Sequence, residues 1–207
     1  MSETTDRVED QGMAEQRPTH DDLLRAHEYS LLAVLLSRAP SDEVLAQLAK
    51  ITGGPSPLGL AHIALADAAR TADPGALQRE YFRLFIGVGR GELVPFCSFY
   101  LTGFLQERPL ARLRADMAAL GIERSPDLRE PEDHIAVVCE TMAGLILGRF
   151  GTPAESESLF FDRHLKPWAA RFFADLETAE GAAFYRHVGA IGRMFMEIEA
   201  EALAWAA

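Results

Sequence analysis

Cys97, Cys139, six histidines and three closely spaced glycines are the residues of this chain whose types could support chemistry. Cys97 with His134, and Asp133 beside it, offers a nucleophile and a base, but a thiol attacks only as its thiolate and needs a cationic neighbour or a helix start to make one. No lysine adjoins Cys97 and no helix start is evident there, so a buried or half-buried thiol is expected. Two cysteines supply neither a disulfide framework nor a zinc-ligand spacing. Helical dimetal sites use Glu-x-x-His pairs, which the sequence lacks, and Glu197, Glu199 and Glu201 alternate faces of the last helix as a solvated surface would. Gly87-Val88-Gly89-Arg90-Gly91 follows a helical pattern and not a strand, and its spacing fits neither a Walker loop nor a dinucleotide fingerprint. A nucleotide-regulated switch on this loop is therefore a minor reading, and no catalytic, cofactor-binding or metal-binding residue is assigned.

Two stretches remain. In Glu80 to Tyr100, EYFRLFIGVGRGELVPFCSFY, helical spacing puts Tyr81, Leu84 and Phe85 on one face with Glu80 and Arg83 turned away. Gly87, Gly89 and Gly91 end that helix, and the chain returns to apolar sequence through Pro95. One reading is core packing followed by a tight loop; the other is a groove wall with a mobile rim that receives an apolar segment of another chain. In Glu130 to His134, Pro131 keeps Glu130 extended, and Glu132 or Asp133 can open the following helix at its positive end. A capping sequence accounts for the acids but not for His134, which with Asp133 would make a charged rim able to titrate near neutral pH.

The elements that must position these stretches are helices. Residues 1–19 are polar and acidic and read as a disordered tail. Apolar residues at helical spacing then recur from Leu23 to Leu36, and His27 is read as a hydrogen-bonded core histidine. The clearest amphipathic run holds Ile135, Val138, Cys139, Met142, Leu145, Ile146 and Phe150. Sustained alternation is missing, so residues 20–207 are expected to form one all-α domain, a bundle of eight to ten helices. A net charge of −11 argues against nucleic-acid binding and suits a basic partner. With no apolar run of membrane length and no secretory leader, the expected compartment is the cytoplasm, without stable membrane insertion.

Taken together, EYFRLFIGVG…VPFCSFY and EPEDHIAVVCETM resemble the TorD/DmsD family of redox-enzyme maturation chaperones, with the nitrate-reductase chaperones as more distant relatives. The resemblance covers roughly Arg25 to Phe150, and Phe161 to Phe172, with His164, Leu165 and Trp168, looks like the family's later helix. It implies an all-helical TorD-like fold, no enzymatic reaction and no cofactor. It also implies binding of the twin-arginine leader and apo form of a molybdopterin oxidoreductase of the formate dehydrogenase or dimethyl-sulfoxide reductase type, by a monomer or exchanged dimer. Carried over by motif, the leader-binding positions are Tyr81, Leu84, Phe85, Pro95 and Phe96, then Pro131, Asp133 and His134, with Ser98 and Tyr100 continuing the first motif. Two positions depart: Phe96 stands where many relatives carry Tyr or Trp, and Cys97 where Glu is common. The alternatives are a chaperone for a redox-enzyme subunit that is not exported, and a small helical hydrolase using His134 and Asp133.

Overall fold

Thr19 opens the fold with a reciprocal cap: its hydroxyl accepts the backbone N–H of Asp22, and the Asp22 carboxylate takes the Thr19 N–H. The computed structural model describes residues 18–125 and 129–206, so all but the last two residues of the segment read as a disordered tail lie outside it. Among the described residues there are ten α-helices, one π-helical turn and no strand longer than a single bridge. The helices are α1 (His20–Ser37), α2 (Asp42–Leu48), α3 (Pro57–Thr71), α4 (Pro74–Tyr81), α5 (Cys97–Thr102), α6 (Arg108–Ala119), α7 (Ile135–Ile146), α8 (Glu155–His164), α9 (Ala169–Thr178) and α10 (Tyr185–Ala206). The π turn, Phe82–Ile86, continues α4 directly. The all-α bundle expected from periodicity is the fold observed.

The centre is α7, where Ile135, Val138, Cys139, Met142, Leu145 and Ile146 are all buried, packed against α1 and α8. Helix α1 turns Ala26, Tyr29, Leu32, Leu35 and Leu36 inward but leaves Leu24 and Val34 exposed, and His27 is exposed too, contrary to its reading as a core histidine. A second layer forms where α10 lies on α9 and α3. Small residues set that contact: a Cβ at Gly189 would collide with the backbone of Glu177, and one at Gly192 with the Phe173 ring.

Glu199 corrects the solvated-surface reading of the last helix. It is 1% exposed, and its carboxylate takes the Arg25 guanidinium at both oxygens, 2.6 and 2.8 Å, and the Tyr29 hydroxyl at 3.0 Å. Arg25 also pairs with Glu157, so one guanidinium joins α1, α8 and α10. Burial works against the charge on Arg25, but these two carboxylates outweigh it and hold its pKa above the usual value.

Gly189→Ala is expected to lower unfolding free energy by about 1–2 kcal/mol, although alanine is the better helix former, because the opposing atoms are backbone and cannot swing aside. A urea titration of the variant against wild type measures it.

Candidate functional site

The two motif stretches meet as paired backbone. Phe96 and His134 form an antiparallel bridge in which the Cys97 N–H donates to Asp133 O and the Ile135 N–H to Pro95 O, each at 2.9 Å. Pro95 and Pro131, which cannot donate, stand outside the donating positions, so neither proline costs the pairing a bond. Side chains reinforce it. The Asp133 Oδ2 accepts the Ser98 N–H at 2.9 Å, and the Phe96 ring stands edge-on to the His134 ring with centroids 5.0 Å apart. His134 is the N-cap of α7, its Nδ1 accepting the Ala136 N–H at 3.2 Å. The sequence reading left His134 without a structural task, and this is that task.

Upstream, the Gly87 N–H reaches back five residues to Phe82 O, which makes the π turn, and Gly87 leaves it at φ 63°. A π turn is a one-residue insertion into helical periodicity, so faces assigned at 3.6 residues per turn slip there. Glu80 precedes that turn and does not turn away from the apolar side: at regular helical spacing it shares a face with the buried Leu77. It is buried, and its carboxylate accepts the N–H groups of Ala183, Phe184 and Tyr185 at 2.8, 3.2 and 2.8 Å, the entry to α10. Glu92 likewise takes the N–H groups of Glu180 and Gly181 at 2.7 and 2.9 Å, while the Arg83 guanidinium donates to Gly181 O. A Cβ at Gly181 would strike the side chains of Glu92, Arg83 and Leu84, so only glycine fits in the grip. Residues 80–92 therefore clasp the connection between α9 and α10. The clasp places Tyr185 against Phe85 and Tyr81, ring centroids 5.3 and 5.8 Å away.

Of the positions singled out by sequence, Leu84, Pro95, Ser98, Tyr100, Asp133 and His134 are buried, whereas Tyr81, Phe85, Phe96 and Pro131 are half-buried. Leu84 belongs to the core in this conformation and presents no surface. Tyr81 donates its hydroxyl to Leu36 O on α1 at 3.1 Å. Tyr100 donates to Asp175 at 2.9 Å and lies under the Arg171 guanidinium, 4.9 Å from its ring centre. The π turn instead exposes Phe82 and Ile86, and Val88 in the glycine loop is 99% exposed; none of these three was singled out. A cleft of about 600 Å³ opens beside His134 between α1 and α7, lined by Ala33, Val34, Ala136 and Val137 and by the charges of Arg38, Arg129, Arg149, Glu130 and Glu140.

The electrostatics reassign the rim. Asp133 is 1% exposed with Oδ2 engaged and Oδ1 enclosed without a partner, so it supports the site from below and does not form its lip. Burial pushes His134 down to about 4, which keeps the ring neutral near pH 7 and removes the expected titration there. Asp133 and His134 use their polar atoms on different backbone N–H groups, so no acid–base dyad is assembled. Cys97, contrary to the sequence reading, does begin a helix, yet burial and then the Asp133 charge push its thiol up to about 12. Among the described residues no cluster of three metal-ligating side chains occurs. No described helix is long and apolar enough to cross a membrane.

Residues 53–174 match the sequence profile of the family described as nitrate reductase delta subunit. Two curated relatives carry the name chaperone protein TorD. That of Vibrio atlanticus is 25% identical over 138 residues, 62% of this chain and 64% of its own length. That of Vibrio cholerae is 27% identical over 105 residues, 46% of this chain and 48% of its own. The chain thus spans less than two thirds of the length of these relatives. A solved structure titled as a putative redox enzyme maturation protein from Archaeoglobus fulgidus superposes with a TM-score of 0.57 at 22% identity, covering 84% of this chain and 94% of that one. That likeness concerns the fold.

The buried neutral His134 couples stability to pH. Its folded pKa lies below the ordinary 6.5, so the unfolded chain takes up a proton that the folded chain refuses, and stability falls as pH drops from about 6.5 towards 4. His164 and His187 are lowered in the same direction, burial being the main cause in both. His134→Asn keeps a capping side chain, and urea titrations across this range are expected to show its pH dependence flattened by roughly 1–3 kcal/mol at the acid end.

Proposed function

Because this chain belongs to the nitrate reductase delta subunit family, we propose that it is a redox-enzyme maturation chaperone that binds the twin-arginine leader and apo form of a molybdopterin oxidoreductase, holding it for cofactor insertion before export. The observation that carries the reading is the bridge between Phe96 and His134. Through it, half-buried aromatics of one motif and the acidic turn of the other become neighbours on rigid backbone, next to a cleft with an apolar floor. The names of the curated relatives support the same reading. Against the hydrolase alternative, Asp133 and His134 direct their polar atoms to separate backbone N–H groups and not to each other.

A twin-arginine leader has a basic start and an apolar middle. In the proposed mode the middle lies helically against Phe85 and Phe96, with Phe82 and Ile86 extending the apolar tract. Covering about 300 Å² of apolar surface contributes roughly 7 kcal/mol before the ordering costs of both partners, which leaves micromolar affinity as the scale and permits release. The leader's arginines meet the exposed carboxylates of Glu130 and Glu140, Asp133 being enclosed.

One observation favours a second reading, a client that is not exported and whose recognised helix lacks paired arginines. The cleft carries three guanidinium groups beside its two carboxylates, so its charge does not by itself select a basic segment.

Calorimetric titration with leader peptides of molybdoenzymes tests the first reading and separates it from the second. Binding is expected, weakened about tenfold by Phe85→Ala or Phe96→Ala in variants whose circular dichroism is unchanged, the scale of one half-buried aromatic contact. Replacing both leader arginines by glutamine should weaken binding, and added salt should weaken the arginine form only. Equal affinity for the two peptides would transfer support to the non-exported client.

A further inference from the structure

A second cleft, about 530 Å³, lies between α5, α6 and α8, and Cys97, next to the bridged Phe96, is among its lining residues. Its walls include Leu101, Pro109, Ala115 and Pro167, and the buried Cys97 thiol and His164 ring stand at its base. The charges around it are unevenly matched. Asp116 accepts from the Arg163 guanidinium at 3.2 and 3.3 Å and from His164 Nε2 at 2.9 Å. Burial and these bonds pull in opposite directions on both partners: Asp116 is held below the usual carboxylate range, and His164 below 6.5 with its ring neutral. Asp162, also on the wall, is paired with Lys166 at 2.7 Å. Arg112 alone has no hydrogen-bond or ion-pair partner among the described residues, so in a chain of net charge −11 this cleft carries one uncompensated positive charge.

Exposed apolar residues continue from the wall of this cleft along the chain. Leu101 is 44% exposed, and three and four positions on, Phe104 and Leu105 in the turn before α6 are 70% and 52% exposed. Leu101 shares the cleft with the free guanidinium, and large exposed apolar side chains following it in the chain are the composition of a contact surface and not of a solvated loop.

We propose that the cleft between α5, α6 and α8 is a second docking surface, which takes an apolar peptide segment carrying an acidic side chain, its carboxylate paired with Arg112 and its apolar neighbours on Leu101, Pro109 and Pro167. Charge complementarity selects this occupant: a basic segment would find Asp116 and Asp162 already paired and Arg112 repelling it. The lining of this surface shares none of Phe82, Phe85, Ile86 and Phe96, the tract proposed for the leader, although both adjoin α5.

The test uses the full chain, uniformly labelled with nitrogen-15, and three end-blocked pentapeptides, Ala-Leu-Glu-Leu-Phe and its Gln and Lys counterparts at the third position. The Glu peptide is expected to shift the amide resonances of Leu101, Arg112 and Ala115, with the Gln peptide about fivefold weaker, the scale of one partly shielded ion pair. Arg112→Gln, a surface change, should abolish the preference for Glu over Gln while leaving calorimetric binding of a twin-arginine leader as in wild type. Equal shifts from the Glu and Lys peptides, shifts confined to other residues, or a preference that survives Arg112→Gln would overturn the proposal. So would loss of leader binding in Arg112→Gln, since the cleft would then be part of the first site. A leader that fails to bind wild type, with the peptide results as expected, counts against the leader reading alone.

Discussion

Two backbone hydrogen bonds, Cys97 N–H to Asp133 O and Ile135 N–H to Pro95 O, are the constraint on which the arrangement of this molecule depends. They join chain segments nearly forty residues apart in an otherwise helical protein, where the interior of each helix meets its own backbone needs and only its ends seek partners elsewhere. Between them lies the start of α5 on one side and of α7 on the other, so the single bridge fixes where two helices begin and in which direction they leave. α7 is the core helix, and whatever is anchored at its N-terminus inherits the rigidity of the core.

Several acidic residues of the motifs are spent on main-chain groups of the protein itself. Glu80, Glu92 and Asp133 accept main-chain N–H groups at points where a chain enters or leaves a helix, and Glu199 neutralises a guanidinium shared by three helices. A carboxylate with several N–H donors can stay ionised without water, which makes it an effective fastening for irregular backbone. The surface that remains is accordingly less acidic than the overall charge suggests, and it exposes Phe82, Ile86 and Val88 before α5 in the chain and Leu101, Phe104 and Leu105 within and after it.

How much of this was legible follows from the range of each interaction. Ile135, Val138, Cys139 and Met142 lie inward because one helix's periodicity decides it, and that pattern is written locally. Thr19 caps α1 for the same reason. Glu80 was misplaced because its partners lie 103 to 105 residues away. Glu199 was misplaced through a partner 174 residues away. His27 was taken for a core residue because the sequence does not say that this face of α1 is left open. In the candidate site, the resemblance implied that both motifs contribute leader-binding positions, but their pairing as backbone was not legible in either one. Nor was the burial of Leu84 and Asp133, since a motif identifies residues without saying which of them support and which face outward.

The clasp has a bearing on synthesis. Residues 80–92 are complete on the ribosome long before the N–H groups of residues 180 to 185 exist to occupy the Glu80 and Glu92 carboxylates. Until those arrive, two anions and an arginine stand beside apolar side chains with nothing to bind, and Tyr185 is missing from behind Phe85. The aromatic tract is thus completed only once the start of α10 has been translated, long after Tyr81 and Phe85 themselves.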